Sequence, residues 1–271
     1  MTARTVTPPQ PRHFAAWPRR MPRNVPPLET TLWDNLEVSA RRHPDKAAIV
    51  FFGQSVSYAR LRDDATRLAG WLQREAGVRA GDRVLLMMQN SPQFVIASYA
   101  ILRADAVVVP VNPMSRADEL AHYIADPEAK VAICAADLVA HIEAGDAQVD
   151  ASRRLQRLLV ARYADCIPAD LHPDERGPDA WRDWLDADPP LPSTATRWSD
   201  ALAAGHTPGP PTAAPDDLVA LCYTSGTTGK PKGCMHTHRT IGHNTVCGAL
   251  WQYGTSADVT LGVVPMFHIT G

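Results

Sequence analysis

The spacing of apolar positions changes along the chain, and each change marks a predicted element. Thr30 or Thr31 caps a helix carrying Leu32, Trp33, Leu36 and Ala40, which stops at Pro44. Two short apolar runs, 47–52 and 55–58, are split by Gly53 and Gln54 and predict a hairpin. Leu61, Ala65, Leu68, Leu72 and Ala76 then recur at the three- and four-residue spacing of one helix face. From there the rhythm is regular. A strand at 83–88 leads to Ser91-Pro92, a cap followed by proline at the first helical position, and that helix ends near Arg103. A β-branched run at 106–111 is bounded by Asn112-Pro113; a helix at 116–125, a strand at 130–135 and a helix at 137–144 follow. Strands alternating with helices through short links predict an α/β fold, a parallel sheet covered by helices on both faces.

Between 146 and 215 the pattern weakens to one short strand signal at 158–160. Around it lie Pro- and Asp-rich stretches with Trp181, Trp184 and Trp198, expected as an irregular insertion packed on the surface by its tryptophans. Residues 208–215 read as a loop or linker. Order returns with an apolar strand at 218–223, a helix over 238–251 and a further strand at 259–264 that ends at Pro265. No internal repeat marks a solenoid.

Composition narrows the function classes. A formal net charge of -2 gives no surface for nucleic acid or an anionic membrane. Five cysteines, an odd and scattered set, point to reduced thiols rather than a disulfide frame. The first 28 residues hold no Asp or Glu and seven prolines, which would break the helix a transit peptide needs; a disordered leader is expected. Without a run apolar enough for a signal sequence or a transmembrane helix, a cytoplasmic protein is the default.

The chemistry concentrates at 223–233. The strand at 218–223 empties into Thr224-Ser225-Gly226-Thr227-Thr228-Gly229-Lys230-Pro231-Lys232-Gly233. Three glycines allow backbone N–H groups to converge on an anion, four hydroxyls add donors, and two lysines bring positive charge. A simple turn needs far less. The loop is not a Walker A loop, which would require glycine at Thr224 and a hydroxyl at Pro231.

The run Tyr223-Thr-Ser-Gly-Thr-Thr-Gly-Lys-Pro-Lys-Gly233 resembles the phosphate loop of the acyl-adenylate-forming superfamily: acyl-CoA synthetases, luciferases and peptide-synthetase adenylation domains. Other segments agree in the same order. Ser57-Tyr58-Ala59-Arg60-Leu61 is similar to the early Tyr-x-x-Leu signature, and residues 102–112 to the next. Pro265-Met266-Phe267-His268 is similar to the mouth of the acyl pocket. Asp105 departs from the pattern, which usually has glycine there, and leaves the geometry of that turn open.

The resemblance implies the N-terminal portion of that fold. Residues 29–215 would form a first α/β subdomain with its insertion, and 216–271 the start of a second that carries the phosphate loop. It also implies ATP, Mg2+ and coenzyme A as reactants: a carboxylate attacks the α-phosphate, pyrophosphate leaves with magnesium, and the acyl-adenylate passes to a thiol. Thr224, Ser225, Gly226, Thr227, Thr228, Gly229 and Lys230 would wrap the β- and γ-phosphates. Lys230 and Lys232 would offset charge as pyrophosphate departs, and His268 would gate the acyl carboxylate. No acid follows Phe267, where an amino-acid substrate would require a counter-ion; a fatty acid is expected, with an aryl acid next. The family's acidic magnesium ligand, ribose-binding aspartate, hinge and C-terminal lid are not found before Gly271. A fragment weak or inactive alone is therefore expected, a homodimer or half of a split enzyme, with a non-catalytic ATP-binding module or a remnant as alternatives.

Two clusters invite other readings. Cys234, His236, His238, His243 and Cys247 match no common zinc spacing and are expected to be incidental, on a loop-to-helix junction; no metal site is predicted. Asp118, Glu119, His122 and Asp126 are expected to form a solvated charged helix face rather than a catalytic group.

Overall fold

The computed structural model describes residues 12–168, 170–172, 175, 177–224 and 229–268. Helix α1 (Leu32–Arg42) is closed at its start by a capping box: the Asp34 carboxylate accepts from Thr31 N–H at 2.7 Å, and Thr31 Oγ1 accepts from Asp34 N–H at 3.3 Å. Strands β1 (Ala47–Phe51) and β2 (Gln54–Ser57) form the expected antiparallel hairpin. Its turn falls at Phe52-Gly53, both at positive φ, the backbone that a two-residue hairpin demands.

Helix α2 (Tyr58–Arg74) follows, and then the repeating units: β3 (Arg83–Met87), α3 (Pro92–Arg103), β4 (Val107–Pro110), α4 (Ala117–Ala125), β5 (Val131–Ala135), α5 (Val139–Asp146) and β6 (Arg157–Ala161). A short helix α6 (Arg182–Leu185), strand β7 (Ala195–Arg197) and helix α7 (Trp198–Ala203) lie in the stretch expected to be irregular. That expectation is corrected: β7 pairs in parallel with β6, and Trp198 is buried at the head of α7. The chain then gives β8 (Leu218–Thr224), β9 (Lys232–Thr237) and α8 (His238–Trp251).

Seven strands make one sheet in the order β7-β6-β5-β3-β4-β8-β9, parallel throughout except for β9. The α/β reading is borne out. The subdomain boundary expected at 215/216 does not divide the sheet, because β8 joins β4 in parallel at Val108↔Ala220. Since β4 lies to one side of β3 and β5 to the other, right-handed crossovers send α3 and α4 to opposite faces. Accordingly α1, α2, α3 and α7 pack together, while α4 packs with α5. Val84, Leu85, Leu86 and Ile133 between these layers are fully buried.

Asp105 resolves the departure from the family pattern. It stands just past α3 at φ 59, the left-handed position that closes a helix, where Ala106 N–H reaches Ile101 O and Asp105 N–H reaches Leu102 O. Glycine adopts that conformation freely. Here the aspartate carboxylate accepts from both the N–H and the hydroxyl of Thr212, each at 2.7 Å. Together with Arg74 on Thr207 O, Gln73 on Gly209 N–H and Arg103 on Gly209 O, it fastens the stretch expected to be a loose linker along α2 and α3.

Three other expectations change. Residues 232–237 are a strand, not a loop-to-helix junction, and 259–264 are not a strand. Over the described part of the expected leader, Trp17 meets Trp251 edge to face, Met21 is buried, and Leu28 O accepts from Arg239. Residues 1–11 lie outside the described residues.

Candidate phosphate-binding site

Strands β8 and β9 form a hairpin whose tip is the glycine- and lysine-rich loop. Their register runs from Leu218↔Thr237 to Thr224↔Lys232, so the two ends of the loop face each other directly. Thr224 Oγ1 lies 3.5 Å from Lys232 O across that base. Ser225, Gly226, Thr227 and Thr228 lie outside the described residues. Gly229, Lys230 and Lys232 are exposed. A Cβ placed on Gly229 would meet nothing within 4 Å, so its neighbourhood has room for a ligand. Gly233 is different: a Cβ there would come 3.3 Å from the Tyr223 ring, and glycine lets that ring lie across the hairpin.

Helix α4 supports this hairpin through residues expected to be merely solvated. His122 Nε2–H donates to Pro231 O at 2.8 Å, and the Tyr223 hydroxyl donates to Asp126 Oδ2 at 2.6 Å. Tyr123 and Tyr223 pack with ring centroids 4.8 Å apart. Burial, followed by the Asp126 carboxylate, raises the Tyr223 hydroxyl above the usual phenol range, which keeps it a donor. The i, i+4 spacing of His122 and Asp126 showed that they share a face; nothing in it showed that a hairpin about a hundred residues later would lie on that face. His122, Lys230 and Pro231 line a cleft of about 490 Å³ together with Glu119, Gln148 and Arg153.

His268 is exposed, in a turn where its N–H reaches Pro265 O at 3.0 Å. The turn is tethered by Asn90, just past β3: its side-chain amide donates to Gly262 O and Val264 O, and its Oδ1 accepts from Met266 N–H. A second cleft, about 850 Å³, opens there between Asn90, Asp137, His141, Trp184, Gly262 and Pro265. It lies beyond the C-terminal ends of β3 and β5, where the strand order switches direction, the usual ligand position in an open α/β sheet. The two clefts share no described lining residue. Loop and His268 thus hang from different elements, the first from β8, β9 and α4, the second from β3.

The Cys/His series separates in the same way. Cys234 and His236 lie on β9, with Cys234 opposite Cys222, whose thiol burial pushes up to about 11. His238, buried at the start of α8, accepts the Leu32 N–H at Nδ1, and His243 Nε2 lies 3.5 Å from Cys247 Sγ. All five cysteines are free. Among the described residues no group of three His, Cys, Asp or Glu side chains could hold a metal, and no helix is long and apolar enough to cross a membrane.

The AMP-binding enzyme family matches residues 36–271. A long-chain-fatty-acid–CoA ligase of Bacillus subtilis is 33% identical over 264 residues, covering 95% of this chain and 46% of its own length. An oxalate–CoA ligase of Arabidopsis thaliana is 28% identical over 242 residues, covering 89% of this chain and 41% of its own. Among solved structures, a long-chain-fatty-acid-CoA ligase from Archaeoglobus fulgidus superposes with a TM-score of 0.70 at 24% identity, over 90% of this chain and 44% of that one, a likeness of fold. The chain thus spans about half the length of the curated relatives it matches. Matched from within α1 to its last residue, and one-third identical to a relative along nearly its whole length, the chain belongs to the AMP-binding enzyme family.

Proposed function

We propose that this chain binds ATP through the β8–β9 loop and contributes to activating a carboxylic acid, a fatty acid, first as the acyl-adenylate and then as the coenzyme A thioester. The observation that carries the reading is the hairpin itself. It holds two exposed lysines and a glycine-flanked loop at a fixed base on the sheet, at the family's phosphate-binding sequence. Transfer at phosphorus asks chiefly for positioning and charge stabilisation, and this arrangement offers both. Thr224 to Lys230 would hold the β- and γ-phosphates. Lys232, at the first position of β9, would face the departing pyrophosphate, and His268 would stand at the acyl carboxylate. Magnesium would enter as the companion of the nucleotide's phosphates and offset their charge.

The Bacillus relative supports a fatty acid, as does the missing acid after Phe267. The oxalate-specific name of the Arabidopsis relative supports a second reading, a different carboxylic acid on the same adenylation chemistry. Five free thiols support a reducing compartment such as the cytoplasm. Nucleotide titration followed by thermal melting tests the grip. ATP at a hundred times its dissociation constant should stabilise the chain by about 2.7 kcal/mol. Gly226→Val should abolish that protection and Lys230→Ala should cut it to about half; a chain indifferent to ATP sinks the reading. ATP–pyrophosphate exchange driven by palmitate rather than oxalate decides between the acids.

A further inference from the structure

We infer that α4 is the positioning element of the phosphate loop, with His122 and Asp126 each fastening one end of it. The inference rests on the loop being the phosphate grip. The loop leaves the sheet at Tyr223-Thr224 and returns at Pro231-Lys232. Between strands, a hairpin tip is fixed only by its own base. Here each limb has a second anchor on α4: Asp126 accepts the Tyr223 hydroxyl on the outgoing limb, and His122 Nε2–H donates to Pro231 O on the returning one. Pro231 has no N–H, so its carbonyl is its one backbone handle, and His122 occupies it.

The two anchors sit one helical turn apart on a helix that is itself locked. Leu120 and Ile124 are fully buried, and Gly145 of α5 lies so close that a Cβ there would come 2.5 Å from Leu120 Cβ. A rigid helix carrying two donor–acceptor contacts to a loop's two ends fixes where the loop leaves the sheet and where it returns. It also fixes Lys230, between Gly229 and the anchored Pro231. Neither side chain is assigned to touch the nucleotide, so both are positioning residues. Imidazole donates from Nε2 whether neutral in that tautomer or protonated, so the brace itself needs no particular charge on His122.

Hydrogen–deuterium exchange on the full chain tests the brace without any nucleotide. His122→Ala and Tyr223→Phe should each raise exchange at the amides of Gly229, Lys230 and Lys232 about three- to tenfold, the loss of one hydrogen bond. Exchange in β3 and β5 should not move. His122→Gln, whose amide can donate to the same carbonyl, should restore the wild-type rate, as should Asp126→Asn, which keeps an acceptor for the Tyr223 hydroxyl. If the alanine variant loosens the whole sheet, the two conservative variants decide. Loop exchange unchanged in His122→Ala and Tyr223→Phe overturns the inference, whatever ATP does.

A second arm separates brace from grip. ATP affinity should fall about fivefold in His122→Ala while AMP affinity holds, because AMP lacks the β- and γ-phosphates the loop would carry. Equal losses for both nucleotides would mark a general structural defect and overturn the positioning role. A wild-type chain indifferent to ATP would sink the phosphate reading instead, and the exchange comparison would still decide the brace.

Discussion

The centre of the sheet and its far edge use similar residues to opposite ends. In β3, Val84, Leu85, Leu86 and Met87 are fully buried, and in β5 every residue from Val131 to Ala135 is buried. At the edge, β9 exposes Lys232, Cys234 and Met235, and beyond α8 Val259 and Leu261 are 92% and 81% exposed. The run 259–264 is as β-branched as β4, yet it forms no strand. A strand exists only where its backbone N–H and C=O groups find a ladder; β4 has β3 and β8 on either side, whereas residues 259–264 pair with no strand among the described residues. What fixes that segment is a side chain, Asn90, on two carbonyls and one N–H. The centre is built for stability and the edge for contact.

Substitution separates these roles most sharply at the two extremes. Leu86→Ala in β3 should cost about 3 kcal/mol or more, since it opens a cavity between two helix layers. Met235→Ala on β9 should stay within about 0.5 kcal/mol. Urea midpoints at constant m-value measure both. A costly Met235→Ala would mean that the exposed edge is covered in solution.

Asp105 tests the strap between the two regions. Asp105→Ala removes a carboxylate that accepts two hydrogen bonds and keeps a Cβ at φ 59, for a loss of about 2 kcal/mol. Asp105→Gly also releases the Thr212 contacts but relieves the left-handed strain, so it should cost about half as much. Equal losses would show that the turn carries no strain and the tether accounts for everything. The sequence alone showed that glycine was missing from this turn; only the fold shows what the carboxylate does there.

At the edge the expected signature is reversed. Lys230→Ala should weaken ATP about tenfold, or about 1.4 kcal/mol, and leave the urea midpoint unchanged because the side chain is exposed. A drop in midpoint without loss of affinity would make Lys230 a structural residue.

The same contrast explains what could be read from the sequence. The buried strands and their caps were legible because β3, β4 and β5 are continuous apolar runs, and because Thr31 and Ser91 cap their helices through local hydrogen bonds. The glycine- and lysine-rich loop was legible from composition as a candidate anion grip. Strand β9 was not: its sequence, Lys-Gly-Cys-Met-His-Thr, has no apolar face, and it is a strand because β8 supplies its ladder. The alternation of Cys234, His236 and His238 was the one available sign. Helix α4's grip on the loop left no local signal, because its partners lie 97 and 109 residues away.

The smallest effect, and the finest test of the contrast, is in pH. Burial raises the Asp137 carboxyl, just past β5, to about 6, with nearby His141 opposing. Its folded value thus lies above its unfolded one, so it favours the folded state at low pH and loses that advantage as pH rises from about 3.8 through 6. His238, between β9 and α8, has the opposite sign. Burial lowers it despite the nearby Asp217, Asp105 and Asp34, and its Nδ1 must stay unprotonated to accept the Leu32 N–H. Its contribution is present above the unfolded value of 6.5 and is lost as pH falls through its folded value. Asp137→Asn should flatten the loss of melting temperature between about pH 4 and 6, and His238→Asn, which keeps an acceptor toward Leu32 but cannot titrate, should flatten the acid side. If His238→Asn left the acid limb as steep as before, the link between α1 and α8 would not be what acid breaks.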